Sequence, residues 1–351
     1  MKIRFDSYAK DIIISLEGRD SFIENEILKQ DDPKICLRYA EVIIKGRWPE
    51  AEKIISKDSN CAVDYCTGIL KTRWPEAEIE IAKSRDAIRY YTEIIKSRWP
   101  EGEPYFLTNI TSIKHYVAFL KDKKIDWNSE IENNIILSLK REDAFNPSRY
   151  ELPEETAFRY VEEIKKSRWP EAEHIIIKNA KNACYYAEKY IASRWKEAED
   201  SIINYQPQYY ETSFPVINYA NKIIKGRWIE AENVIMKNPR IAYYYAKYVI
   251  KGRWQEAEEF ICLDPNFAYE YANTIINGRW PEAELSIAKD ISLAYEYAKN
   301  IIKAKLPEEM HNMVIMHGMN NPNNEYLKKY LGYKKYKKEK KKRIKIEANV
   351  K

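Results

Sequence analysis

Glycine is scarce in this chain, with nine residues among 351. Two-residue β-hairpin turns rely on Gly for their positive φ angles, so this shortage argues against a fold made of many hairpins. The abundant residues are Ile, Lys, Glu and Asn, together with 28 Tyr. A composition rich in Lys and Glu and poor in Gly predicts an all-α protein.

Long apolar runs are also missing, since no stretch approaches the roughly 18 continuous apolar residues of a membrane-spanning helix. The residues from Met1 to Asp6 lack the apolar segment of a secretory signal. We therefore expect no membrane span and a cytoplasmic location. The Cys are odd in number, occur singly and form no CxxC pair, which predicts reduced thiols in the core. They are Cys36, Cys61, Cys66, Cys184 and Cys262.

The motifs of common catalytic sites are absent from the sequence. It contains no HExxH, no GxSxG, no Gly-rich phosphate loop and no DxDxDG calcium loop. Carboxylates are plentiful, but their spacing follows a repeat and singles out no acid–base pair. The stretch from Met310 to Met319 has the composition of a soft-metal site, although a Met-rich terminal helix under the last repeat is far commoner. We expect no enzyme activity, no cofactor and no metal.

An Arg-Trp pair recurs along the chain at a spacing close to 26 residues. Five of the seven intervals between these Trp are 25 or 26 residues, and the other two are 70 and 33. Weaker copies are expected around Phe22 and Leu306, each 26 residues beyond the terminal Trp of the series, and Trp127 marks a further candidate. The recurrent residues are Trp48, Trp74, Trp99, Trp169, Trp195, Trp228, Trp254 and Trp280.

The residues before each Trp predict a first helix. In the clearest copy, Ala268, Tyr271 and Ile275 recur at three- and four-residue spacing, which places them on one helix face. Asp264 stands before a Pro and fits an N-cap followed by Pro at the first helical position. Gly278 is expected to end this helix in the left-handed conformation.

The residues after each Trp predict a second helix. Trp280 precedes Pro281, which disfavours helical geometry at the residue before it, so we expect the Trp at the corner between the helices. Ala283 and Ile287 then form an inward-facing apolar pair. Because a unit this short cannot bury its own apolar face, its stability must come from stacking on the next copy.

Charged residues keep a fixed register with the Trp. A typical copy carries Lys251 and Arg253 before the Trp, and Glu256 and Glu258 after it. The Arg is suited to a bidentate grip on a carboxylate or phosphate ligand. Because every full copy is charge-balanced, ion pairs within or between repeats are the better interpretation.

The sequence thus predicts an all-α fold, a right-handed type of α-solenoid of paired short helices with about eleven repeats of roughly 26 residues. The expected segments are an N-terminal capping repeat at 1–29, regular repeats at 30–103, irregular repeats at 104–154, regular repeats at 155–305 with an insertion at 205–215, a C-terminal cap at 306–327 and a basic tail at 328–351.

The unit Tyr-x-Tyr-Ala followed by Gly-Arg-Trp-Pro-Glu-Ala-Glu resembles repeats in uncharacterised proteins of large DNA viruses and bacteriophages. This resemblance covers roughly residues 30–100 and 155–305. In general logic the unit is also similar to tetratricopeptide and Sel1 repeats, although its period is shorter and it lacks their motif residues. The resemblance implies a viral repeat protein of the host cytoplasm, and it transfers no activity.

Two segments are candidate contact sites for a partner. Aromatic residues in an exposed insertion suit protein recognition, although some of these rings are equally suited to the local core. The tail has a net charge of +10, which leaves −5 for residues 1–327, and it suits contact with nucleic acid or an acidic surface. The candidate residues are Tyr205, Tyr209, Tyr210 and Phe214 in the insertion and Lys335, Lys338, Lys341 and Arg343 in the tail.

A non-enzymatic protein-binding scaffold or adaptor is the interpretation that covers most of the chain, with the partner unidentified. A repeat protein that binds single-stranded nucleic acid needs a basic stripe on one face. The exposed position one residue before the recurrent Tyr changes from Arg38 and Arg89 to Glu270 and Glu296 along the chain, which argues against such a stripe. Nucleic-acid contact through the tail is the alternative. An enzyme would have to use the irregular segment 104–166.

Overall fold

The structure is a computed structural model that describes residues 18–141, 152–208, 211, 213–319, 325–332 and 335. Within these ranges the chain forms helices and turns and has no strand. It divides into two compact units, Met1–Asn179 and Ala180–Lys351. In each unit, helix pairs follow one another along the chain and pack on their neighbours. The predicted all-α repeat fold is confirmed.

The first helix of each repeat starts as an α-helix and continues as a π-helix. The π turn ends with a bond from residue i to residue i−5, as from Lys251 N to Ala246 O. The α segments are Pro33–Tyr39, Ser59–Tyr65, Ala87–Tyr90, Pro153–Tyr160, Ala180–Tyr186, Pro215–Tyr219, Pro239–Tyr245, Pro265–Tyr271 and Ile291–Glu296. The π segments are Ala40–Ile44, Cys66–Leu70, Tyr91–Ile95, Val161–Lys165, Ala187–Ile191, Ala220–Ile224, Ala246–Ile250, Ala272–Ile276 and Tyr297–Ile302. Such turns are rare, and their recurrence makes this one part of the repeat.

The two ends of the first helix are capped differently. At its start the Asp264 side chain accepts hydrogen bonds from the amides of Asn266 and Phe267, as an N-cap should. At its end the left-handed residue is Asn277, with φ 52°, and Gly278 has no positive φ. The prediction for Gly278 was wrong because the π turn closes on the amide of Asn277, so the chain reverses one residue earlier.

The second helices begin directly after the buried Trp. In the Trp280 repeat, Pro281 opens a short 3₁₀ turn that continues into an α segment, and Ala283 and Ile287 are buried as predicted. The second helices are Pro49–Ile55, Pro75–Ala82, Lys196–Ile203 and Ile229–Ile235, and three more combine Pro170–Ala172 with Glu173–Ile176, Gln255–Ala257 with Glu258–Ile261, and Pro281–Ala283 with Glu284–Ile287.

The remaining helices occupy the irregular segment and the two ends of the described chain. They are Ser21–Gln30, Glu103–Phe106, Ile110–Asp122, Ser129–Leu139, Glu308–Met319 and Glu325–Leu331. Gly102 stands where most copies have Ala, and a Cβ added there would lie 2.4 Å from Cδ2 of the Trp99 ring. The altered repeat therefore needs Gly because the indole lies against its backbone.

Candidate functional site

The recurrent Trp lie in the core of their units. All eight are buried at the corner between first and second helices: Trp48, Trp74, Trp99, Trp169, Trp195, Trp228, Trp254 and Trp280. Each ring packs on the recurrent Tyr of its own first helix, with Tyr271 and Trp280 centroids 4.9 Å apart. These indoles are therefore closed off from a ligand by packing.

The Arg of the motif pairs with a Glu five residues later. Arg253 Nε lies 2.6 Å from Glu258 Oε1, and Arg253 Nη2 lies 2.9 Å from Glu258 Oε2. The same two-bonded pair joins Arg47–Glu52, Arg73–Glu78, Arg98–Glu103, Arg168–Glu173, Arg194–Glu199, Arg227–Glu232 and Arg279–Glu284. Some Arg also reach the next repeat, as Arg194 does with Glu230 at 2.8 Å. The guanidinium is thus engaged by the chain's own carboxylates.

A buried tyrosine hydroxyl joins this ion pair to the preceding corner. Tyr271 Oη accepts a hydrogen bond from the backbone N–H of Trp254 at 2.6 Å and donates to Glu258 Oε1 at 3.1 Å. In seven copies the Trp N to Tyr Oη distance is 2.6–2.8 Å. We call the four groups the Trp–Tyr–Glu–Arg node. Because the Tyr belongs to the next repeat, each node fastens two copies together.

Burial and hydrogen bonding fix the protonation of the node. Burial raises the pKa of Tyr245 to about 12, a nearby Glu232 charge adds to this, and the bond from Trp228 N–H opposes it. Burial also raises the pKa of Glu78, but hydrogen bonds from Arg73 and Tyr90 outweigh it and leave that pKa below its usual value. The phenols therefore stay neutral and the carboxylate stays charged at neutral pH.

The irregular segment rebuilds the node with different atoms. Trp127 donates from its indole Nε1 to Tyr160 Oη at 2.7 Å, and Tyr160 donates to Glu132 Oε1 at 2.8 Å. Lys165 takes the place of the Arg, with Nζ 2.7 Å from Glu132 Oε1. Trp127 thus belongs to a diverged copy. An ordinary structural role accounts for these polar residues.

The first copy is aligned differently from the sequence prediction. Phe22 is exposed, so it does not occupy the position of the Trp. Asp20 does, because its backbone N–H donates to Tyr39 Oη at 3.2 Å, while Arg19 and Glu24 form the two-bonded pair. The apolar pattern around Phe22 misled the alignment by two residues.

The predicted contact residues of the insertion are partly packed. Phe214 is 4 % exposed and packs on Tyr244 with 5.0 Å between ring centroids, so the prediction of an exposed contact was wrong for this ring. Tyr205 is half-buried, and its hydroxyl donates to Glu211 at 2.7 Å. Tyr209 and Tyr210 lie outside the described residues.

The tail is described only in part. Lys335 is exposed, whereas Lys338, Lys341 and Arg343 lie outside the described residues. Next to the tail, the Met-rich helix packs as a cap, with Met310 buried and His311 Nδ1 2.6 Å from Tyr330 Oη. In the described part of the chain, no group of three or more His, Cys, Asp or Glu is placed to hold a metal ion. Over the same residues, no helix is both long and apolar enough to cross a membrane.

A row of lysines escaped the sequence analysis. In most repeats the left-handed residue at the end of the first helix is Lys, with φ of 52–61°. These side chains are exposed and have no ion pair within the described residues, although charge balance had predicted one for Lys251. The lysine row comprises Lys45, Lys71, Lys96 and Lys166 in the first unit and Lys225, Lys251 and Lys303 in the second.

The lysine row is costly for the backbone. A left-handed conformation costs a non-Gly residue about 1–2 kcal/mol, whereas a cation at a helix C-terminus recovers about 0.3–1 kcal/mol. Gly would therefore suit the backbone better at these positions. The sequence signal was present, because the Lys stands two residues before the Arg in seven copies.

Two depressions in the second unit contain members of this row. One of about 630 Å³ is lined by Ser213, Phe214, Ile217, Asn218, Asn221, Tyr248 and Lys251. The other, of about 420 Å³, is lined by Tyr295, Ala298, Lys299, Lys303, Ala304, Lys305, Lys329 and Tyr330. Neither lining contains a carboxylate.

Comparison of the chain with family models, curated proteins and solved structures gives no match. The functional argument therefore rests on the residues and their geometry.

Proposed function

We propose that the chain is a non-enzymatic scaffold that binds a protein partner. The charged residues that recur with the Trp are engaged in the Trp–Tyr–Glu–Arg nodes, where they hold neighbouring repeats together. Their roles are structural, which leaves the surfaces of the stacked helices to make external contacts. Repeat proteins use such extended surfaces for binding.

Exposed aliphatic side chains on the second helices carry this proposal. Ile229 is 62 % exposed, Leu285 is 45 % exposed and Leu263 is 68 % exposed. They belong to three successive repeats of the second unit and stand one, five and nine residues after their Trp. Positions one and five lie on the same side of a helix, and the ninth lies in the turn that follows. Large exposed apolar groups in one repeated register favour a protein contact.

The test removes these groups from the full-length protein. The triple variant Ile229→Asp, Leu263→Asp, Leu285→Asp places charge where a partner would need an apolar surface. Immobilised protein is incubated with nuclease-treated lysate of the source cells, and retained proteins are quantified by mass spectrometry. We expect a protein that the unmodified chain retains and the triple variant loses, and that binds the unmodified chain after purification.

Asn233→Asp provides a matched control. Asn233 is exposed and stands five residues after Trp228, the same position as Leu285 in its repeat. This variant adds charge to a second helix without removing an apolar group, so it should retain the partner. If every nuclease-resistant protein is retained equally by all three forms, the scaffold proposal on this surface is refuted.

A further inference from the structure

The first helices of the second unit carry a strong positive charge at their C-terminal halves. From the second residue after each recurrent Tyr to the left-handed residue, these helices contain seven Lys and one Glu: Lys189, Lys222, Lys225, Lys247, Lys251, Lys299, Lys303 and Glu188. The single Glu188 pairs with Lys222 at 2.7 Å. The corresponding segments of the first unit hold five Lys and four Glu, so the excess is specific to the second unit.

The depression around Lys251 combines three kinds of chemistry. Tyr248 is 48 % exposed, and its ring is nearly parallel to that of Tyr244, at 3° with centroids 5.9 Å apart. Asn218 and Asn221 supply side-chain amides, and Asn218 Nδ2 donates to Ser213 Oγ at 3.0 Å. An exposed aromatic face, amides and an ammonium group thus meet in a space without carboxylates.

These groups match the parts of a nucleotide. Aromatic faces stack on bases whatever their sequence, amides hydrogen-bond to base edges, and ammonium groups attract backbone phosphates. Carboxylate ligands are instead bound best by the planar fork of Arg. The recurrent Arg of this unit are engaged by their own Glu, so the cations that face solvent here are Lys.

A second basic depression lies two repeats further along the chain. It holds Lys299, Lys303, Lys305 and Lys329 beside Tyr295 and Tyr330. The one nearby ion pair is long, with 4.0 Å between Lys299 Nζ and Glu296 Oε2. Lys303 has the same place in its repeat as Lys251, so the two depressions are related by the repeat. Lys303 thus provides a second phosphate contact in that depression.

We propose that this face of the second unit binds a single-stranded nucleic acid, with one base on Tyr248 between Asn218 and Asn221 and backbone phosphates at Lys251 and Lys303. This inference goes beyond the protein-binding proposal, because it uses the first helices and not the second. It also differs from contact through the tail, since the binding groups lie on the folded repeats.

The test measures binding of fluorescent single strands of about 12 nucleotides to the full-length protein by polarisation. RNA and DNA forms of the same mixed sequence show which sugar is preferred. Tyr248→Ala should weaken binding about 10-fold through the loss of stacking, whereas Tyr248→Phe should bind normally. Lys251→Gln and Lys303→Gln should each lower the slope of log K against log salt by about 0.7.

Lys237→Gln is the charge-matched control, because Lys237 is exposed and lies in the turn after a second helix. It should leave affinity unchanged, as should the tail, which all variants share. The proposal is overturned if Tyr248→Ala, Lys251→Gln and Lys303→Gln bind as the control does. It is also overturned if polyglutamate of matched length competes equally and responds to the same variants, since the occupant would then be an acidic protein segment.

Failure of this proposal leaves the protein scaffold intact, because the Asp variants of the second helices are scored with nucleic acid digested. Circular dichroism of each variant confirms that it is folded. Tyr248, Lys251 and Lys303 are exposed, so no loss of fold is expected from their substitution.

Discussion

The Tyr245 hydroxyl offers a sharp test of how the repeats are joined. It accepts the backbone N–H of Trp228 at 2.6 Å and donates to Glu232 Oε1 at 3.3 Å. Tyr245→Phe removes one oxygen and leaves the ring in place against Trp254, whose centroid is 5.2 Å away. No large cavity forms, so the change isolates the hydrogen bonds.

The expected cost follows from the groups left behind. Glu232 keeps its two bonds to Arg227, at 2.8 and 2.6 Å, so its charge remains paired. The amide of Trp228 is buried and loses its partner, which costs about 1–3 kcal/mol. Because 1.4 kcal/mol corresponds to a factor of ten, the amide should become exchangeable about 5- to 150-fold more often.

Hydrogen exchange at the Trp228 amide, followed by NMR, measures this effect at the node itself. A local probe is needed because repeat arrays do not always unfold in one step. Tyr248→Phe is the matched control, since Tyr248 is exposed and lies on the same helix. If exchange at Trp228 is equal in the Tyr245→Phe protein and the control, the hydroxyl does not fasten the repeats.

Three further predictions concern stability. Trp254→Ala should destabilise the protein by about 3–5 kcal/mol in urea unfolding, because a buried indole is replaced by a cavity; no loss would mean that the ring does not support the corner. Gly102→Ala should lower the melting temperature, since its Cβ would meet the Trp99 ring, while Gly68→Ala has open space and should not. Burial raises the pKa of Tyr245 to about 12 and acts likewise on the other buried phenols. The unfolded chain loses these protons near pH 10, so stability should be intact below about pH 10 and fall as pH approaches 12, together with the rise of tyrosinate absorbance. A urea midpoint that stays level over this range would contradict the role of the buried phenols.

Local sequence signals predicted the helix pair well. The Trp before Pro281 marks the corner, and Asp264 caps the first helix, because both depend on backbone preferences of adjacent residues. The Arg–Glu pairs were also foreseen, since charge balance within one copy is visible in the sequence. Spacing of five residues alone did not reveal that each pair is two-bonded.

Features that depend on contacts between repeats were missed. The bond between Trp254 N–H and Tyr271 Oη joins residues 17 positions apart, and no local preference links a backbone amide to a distant phenol. The π turn was missed because its Ala-x-x-Ile-Ile sequence has an ordinary helical pattern. This turn then moved the left-handed residue from Gly278 to Asn277, and to Lys251 in the preceding copy.

The candidate surfaces show the same division. Phe214 was chosen from composition, but the repeat that follows covers it with Tyr244. The lysine row was hidden by counting charges, because the Arg alone satisfies the Glu and leaves the Lys to solvent. Only the three-dimensional positions of Tyr248, Asn221 and Lys251 show that these groups share one depression.

The node also suggests how such a chain changes length. Every copy brings a Tyr for the repeat before it and a Trp, Glu and Arg for the repeat after it. A duplicated copy therefore leaves no buried amide without an acceptor, and a deleted one removes donor and acceptor together. Only the ends need special residues, and Asp20 at the start and Leu306 near the end stand in the place of Trp. Gene segments of this kind can lengthen or shorten by whole units while the protein stays foldable at each step.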